Sequence, residues 1–224
     1  LQSSRYAIMS TETIAEIIAF WLGSSLEGPE AAFARRDWWY KGGPAVDEDI
    51  RMRFGALVPQ ACEGGLVEWR NTADGAFALI LLLDQFTRNL YRFSPDAYAG
   101  DAHAFEVVNQ VVEQKLDREL PPVSRIWLYH PFHHSEQIEE QDRGLALLDS
   151  VRDAAPEVWR PYVQRSIKGW TRHRDIVARF GRFPHRNTVL GRTSTDDERA
   201  FLAADGDAFG QGPKEAAASS PNSD

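Results

Sequence analysis

Cysteine is almost absent from this chain: Cys62 is the single one in 224 residues. That excludes an intramolecular disulfide, so nothing in the sequence calls for an oxidising compartment. Cys62 follows a helix-like run and precedes the stop signal Gly64-Gly65, which suits a small, semi-buried residue better than a nucleophile. Long apolar runs are also missing. The longest, residues 76–83, covers about two helical turns, far short of the roughly 20 residues a membrane span needs. Residues 1–9 lack the basic start and apolar core of a secretory signal. Met9-Ser10-Thr11-Glu12 resembles a natural start, so residues 1–9 are expected to be an upstream extension or expression scar. These absences predict a soluble, cytoplasmic protein with no membrane partner. Positive charge is in short supply as well. The net charge of -8 argues against a general nucleic-acid binder. No segment alternates at period two, so no sheet is predicted.

Helix grammar is what the sequence does contain. Ile14, Ile17, Ile18, Trp21 and Leu22 recur at the spacing of an amphipathic helix. Thr13 with Glu16 has the form of a capping box, and Gly23 of a stop. Trp38-Trp39-Tyr40 and the breaker Gly42-Gly43-Pro44 are expected to form a loop. A second helix is predicted over about 47–62, kinked or shortened by Pro59. Residues 73–86 are so apolar that their helix should be central. Ser94-Pro95-Asp96 offers an N-cap, a first-turn proline and an acid, predicting a helix to about residue 115. Others are expected over about 135–151 and 157–180, and from Ser194 onward. Seven Trp and twelve Phe suggest a core filled by large rings. The expectation is an all-α protein of about seven or eight helices packed as antiparallel hairpins. Residues 10–203 form one helical domain in this reading. Residues 204–224, rich in Gly, Ala, Ser and Pro, form a disordered tail.

Charge is unevenly distributed. Between Arg160 and Arg192 lie nine basic residues and one acid, a local +8 against a whole-chain -8, so the remainder carries -16. Within that segment Arg186-Asn187 echoes Arg88-Asn89. Each pair follows a helix exit and precedes a further arginine (Arg192 or Arg92) and a Ser-x-Asp helix start. Capping explains the shared Ser-x-Asp starts but requires no arginine. Arginine is permanently charged and grips carboxylate or phosphate with a planar fork, and asparagine adds neutral donors. The two loops therefore form either a shared anion site or separate structural turns whose arginines pair with the acidic remainder. Asp84, four residues before Arg88 in an apolar run, is expected to pair with it. Arg182, His185 and Arg186 project from the punctuated stretch Phe180–Arg186, which is the preferred functional loop.

Histidine is the other concentrated residue type. His130-Pro131-Phe132-His133-His134-Ser135-Glu136 offers imidazole beside carboxylate at a broken helix start. Metal binding, acid–base work and simple capping are all open to it. No H-E-x-x-H is present. His173 and Asp175 face different directions on a helix and form no dyad.

The runs Leu81–Arg92, Pro131–Glu136, His173–Ile176, Arg179–Asn187 and Leu190–Arg192, with Phe20-Trp21-Leu22-Gly23 before them, resemble a bacterial family known as domain of unknown function 924. The resemblance covers about residues 14–202. It implies a tetratricopeptide-like α/α superhelical fold and carries no established activity. His134 and Glu136 match the family pattern. Thr87 stands where that pattern has proline, and His130 and His133 depart from it. The function expected is a small-molecule site for an anionic ligand. Arg88, Asn89, Arg182, Arg186, Asn187 and Arg192 would bind the ligand, and His134, Glu136 and His185 would handle protons. No cofactor or metal is expected. The alternative is a tetratricopeptide-like scaffold that holds a peptide without catalysis.

Overall fold

The computed structural model describes residues 2–204, with side chains from Thr11 onward. The described residues are overwhelmingly helical and contain no strand. Twelve α-helical segments appear among them, more than the seven or eight expected, because several predicted helices are divided. The expected tail lies outside the described residues but for Ala204.

Helix α1 (Gln2–Leu22) runs through Thr13 rather than starting there. No glycine or proline precedes Gly23 to interrupt it. Helix α2 (Pro29–Lys41) contains Trp38, Trp39 and Tyr40, which the sequence placed in a loop. Pro29 at its first position and Glu30 in its first turn favour that start. The predicted helix 47–62 divides into α3 (Gly43–Phe54) and α4 (Leu57–Cys62) at Gly55, not at Pro59. A Cβ on Gly55 would lie 2.4 Å from the Arg51 carbonyl oxygen, so the chain turns where only glycine fits. Pro59 is harmless in the first turn of α4, where no amide donor is needed.

The core is built around residues 75–88, every one of them buried. They comprise α5 (Ala73–Ile80) from Gly75 onward, a π turn over Leu81–Phe86 and the start of α6 (Thr87–Leu90). Thr72 caps α5 by accepting from the Gly75 amide. Helices α1, α7 (Asp101–Glu113) and α8 (Pro122–Leu128) pack around this central rod. A ring cluster of Phe20, Trp21, Trp38, Phe54, Phe86 and Trp127 fills the space between them, mostly edge to face. The helix predicted from Ser94 is also divided. Ser94 caps only the 3-10 turn Pro95–Tyr98, and α7 begins after Gly100.

The short α9 (His130–His134) leads to the long hairpin of α10 (Ile138–Ala154) and α11 (Arg160–Phe180). Arg174 reaches Asp142 and Arg152 reaches Gln164, so the two helices run antiparallel. Helix α11 ends at Gly181, whose φ of 68° is the left-handed stop the sequence announced. A small second core of Ile176, Val177 and Phe183 anchors the chain beyond it. That chain forms a 3-10 turn, Pro184–Arg186, and then α12 (Asp196–Ala203). Thr195 and Glu198 make a capping box at the start of α12. No described helix is long and apolar enough to cross a membrane.

Candidate functional site

Arg88 and Asn89 lie in helix α6 rather than in the expected loop, because the chain stays helical through the π turn. With Arg186 of the 3-10 turn they reach one cavity of about 590 Å³. Arg88, Asn89, His134, His185 and Arg186 all line it. The contact between the loops is Tyr98, whose ring lies 5.4 Å from the Arg88 guanidinium carbon and 4.8 Å from that of Arg186.

The π turn sets the inner wall. It brings the fully buried Asp84 beside Arg88 and His134, and π turns are rare enough to mark functional places. Arg88 donates through Nη1 to the Asp84 carbonyl at 2.7 Å and grips Asp101 with two parallel bonds of 2.9 and 3.0 Å. Its ion pair with the Asp84 carboxylate measures 3.1 Å. Burial opposes the Arg88 charge, but Asp101 and Asp84 outweigh it and hold its pKa above the ordinary value. Asn89 and Arg92 both donate to Asp47, at 2.7 Å and at 2.6 and 2.9 Å. The first loop is thus satisfied by acids from α3, the π turn and α7.

Arg186 sits differently. Only 6% of it is exposed, and among the described residues it makes no ion pair. Its guanidinium rests against the rings of Phe183 at 4.5 Å and Tyr98 at 4.8 Å. Its buried Nε has no hydrogen-bond partner. Burial, then the nearby Arg88, push its pKa down. An enclosed cation on ring faces is costly unless an anion joins it.

Five of the six histidines gather on this cavity: His130, His133, His134, His173 and His185. His130 stacks on Trp127 with ring centroids 4.4 Å apart, and His133 on Trp170 at 4.5 Å. His133 and His173 approach to 3.8 Å. Burial is the main cause holding all five below their ordinary 6.5, with His130 and His173 at about 4 and His185 at about 3. They are therefore neutral at pH 7. The His134 Nδ1 lies 2.7 Å from Asp84 Oδ1. A carboxylate only accepts, so the proton is on Nδ1, and Nε2 keeps its lone pair, with no hydrogen-bond partner among the described residues. Among the described residues, no group of three or more His, Cys, Asp or Glu side chains is disposed to hold a metal ion.

The remaining predicted site residues do not line the cavity. Each of them is paired within the protein, the acidic remainder supplying the partners, and Arg182 with Glu198 lines a separate, shallower hollow. Arg182 donates to Glu198 at 2.6 and 2.8 Å, and Asn187 reaches Glu198 and Ser194. Glu198 is nearly fully buried, and these bonds, Arg182 first, hold its pKa down at about 2. Arg192 grips Glu136 with bonds of 2.6 and 2.9 Å, while Glu136 also accepts from the Phe183 amide. Glu136 thereby ties the segment after α9 to the chain around Phe183 and Arg192.

Several lining residues escaped the sequence reading. On α11, Arg165 and Ser166, Gly169 and Trp170, and Arg172 and His173 all border the cavity. Their spacing of three and four puts them on one face of α11, a signal the sequence carries. Arg36, Trp39, Tyr40 and Lys41 come from α2. Asp101 and Tyr98 had no local signal at all. Among the described residues, the lining contains no carboxylate.

Comparison with known proteins bears on the family and not on the chemistry. Residues 17–206 match the family described as bacterial protein of unknown function (DUF924). None of the curated proteins matches the chain. A solved structure of a protein of unknown function from Agrobacterium tumefaciens is similar at 32% identity and a TM-score of 0.72. That alignment covers 87% of this chain and 99% of the other. The order of the shared motifs, the helical fold and this match agree: the chain belongs to the DUF924 family of bacterial proteins of unknown function.

Proposed function

We propose that the cavity binds a small anionic molecule, a carboxylate or a phosphate, with Arg186 as its principal partner. One observation carries the reading: among the described residues Arg186 is a buried cation with no ion pair, in a lining without carboxylates. A ligand anion would supply the missing charge. Arg88 and Asn89 shape the wall, already held by Asp84, Asp101 and Asp47. His134 and His185 are the groups available for proton exchange with the ligand. The setting this reading assumes is cytoplasmic. Arg182, Asn187, Arg192 and Glu136 hold the second loop in position.

The test is thermal unfolding in acetate, phosphate or chloride at fixed ionic strength, for the native protein and Arg186→Gln. Acetate or phosphate should stabilise the native protein by about 2.7 kcal/mol at a hundredfold excess over its dissociation constant, and leave a folded Arg186→Gln unmoved. Equal responses in the two proteins, or none in the native one, would sink the reading. A tetratricopeptide-like scaffold would instead hold an extended peptide and ignore small anions.

A further inference from the structure

The shape of the cavity indicates what the ligand carries besides its charge. We infer that the ligand is an elongated organic acid. Its anionic head meets Arg186, and an uncharged, largely apolar tail lies along α11 over Gly169, toward Trp39 and Tyr40. This rests on the anion-site reading above.

Length is the first argument. Helix α11 lends one face to the cavity, and Ser166, Gly169, Trp170 and His173 lie along it. From Ser166 to His173 is two turns, or roughly 11 Å of axis. Arg186 belongs to the His173 end. Its guanidinium carbon lies 4.5 Å from the Phe183 ring, whose centroid is 5.8 Å from that of His173. The opposite end belongs to α2. There Tyr40 stands beside Tyr162 and Arg165 of α11, and its ring stacks on that of Trp127 with centroids 5.9 Å apart. A cavity of about 590 Å³ is of the size that takes a drug-like molecule. An acetate or phosphate ion occupies only a few times the roughly 30 Å³ of one water, so at Arg186 it would leave most of the space unfilled.

The wall between the two ends gives the second argument. It holds two ring stacks, Trp127 with His130 at 4.4 Å and His133 with Trp170 at 4.5 Å. The stacks meet edge to face through His130. Burial keeps both imidazoles neutral at pH 7. With no carboxylate in the lining among the described residues, a cationic tail would find no counter-charge. Flat, uncharged walls suit an apolar tail.

Gly169 supplies the third. A glycine inside a helix costs stability relative to alanine, and nothing in the packing of α11 calls for one here. A Cβ built on Gly169 would meet no atom within 4 Å. The position lies midway between Ser166 and His173, where a side chain would stand in the passage that the tail needs.

The probes are acetate, octanoate, 4-phenylbutyrate and 4-phenylbutyramide, titrated calorimetrically into the native protein and Gly169→Leu. The native protein should bind the better of the two long acids at least about tenfold more tightly than acetate, as burial of an apolar tail requires. In Gly169→Leu, which relieves the helix of its glycine, the ratio of those two affinities should fall towards one. No gain over acetate in the native protein overturns the inference and leaves the anion site standing, and this measurement needs no variant. An undiminished ratio in a folded Gly169→Leu protein also overturns it. If the amide binds as tightly as 4-phenylbutyrate, the anion-site reading itself fails. Failure of all three acids to bind overturns that reading as well.

Discussion

Arg88 and Arg186 belong to two similarly punctuated sequence stretches, yet one lies in helix α6 and the other in a 3-10 turn, and their surroundings are opposite. Arg88 is enclosed by Asp84 and Asp101, and its neighbours Asn89 and Arg92 share Asp47. Arg186 has ring faces and neutral imidazoles for company, and every nearby acid of its loop is already committed. Glu198 belongs to Arg182 and Asn187, and Glu136 to Arg192. Loop grammar therefore delivers an arginine to a place, and the acids that meet it there decide its role. A compensated arginine is architecture. An uncompensated one, held in a cavity, is an invitation to a ligand.

Acid should strain this contrast most. His130 and His173 titrate at about 4 and His185 at about 3 in the folded protein, against 6.5 when unperturbed. Below 6.5 the unfolded chain binds more protons than the folded one. Stability is thus complete above 6.5 and drains away as pH falls towards about 4. Each such histidine contributes a loss of roughly 1.4 kcal/mol per pH unit in that window. Denaturant unfolding at pH 7.5, 6 and 5 measures it, and a flat profile would contradict the neutral cluster.

Arg88→Ala comes next. It strands Asp84 and Asp101 without their cation, at an expected loss of about 3–5 kcal/mol. In a domain of this size each kcal/mol lowers Tm by roughly 2–4 °C, so calorimetry resolves the change easily. The smallest effect, and the sharpest, is expected from Arg186→Met. Removing a buried cation that lacks a partner should leave stability unchanged or raise it by about 1 kcal/mol. A loss comparable to that of Arg88→Ala would mean that the two loops do not differ as described.

Much of this arrangement was legible beforehand, for identifiable reasons. The all-helical fold followed from apolar spacing, and the central rod from the apolar run before Phe86. The Asp84–Arg88 pair followed from a charge placed four residues ahead in that run. Arg88 and Arg186 stood out because helix capping explains their neighbours and not them. What stayed hidden was tertiary. Asp101 and Tyr98 meet Arg88 from a separate helix and turn, and no local pattern announces such a meeting. Trp38, Trp39 and Tyr40 are helical because Pro29 and Glu30 start α2 ahead of them, while the breaker Gly42-Gly43-Pro44 only ends it. The sequence counts the charges of Arg182 and Arg192 without showing that Glu198 and Glu136 meet them. Local spacing reports which faces exist, and only packing reports which faces meet.

The π turn over Leu81–Phe86 makes chain length a coordinate of the site. Such a turn holds one residue more than an α turn, and each residue swings the next side chain by about 100° around the axis. The rod before it is pinned by buried apolar packing and cannot rotate to compensate. Losing a single residue there would turn Arg88 away from its place and present Asn89 instead, and gaining one would present Thr87. Loss of Leu81, Leu82 or Leu83, none of which lines the cavity, would thus re-aim the wall that Arg88 and Asn89 form.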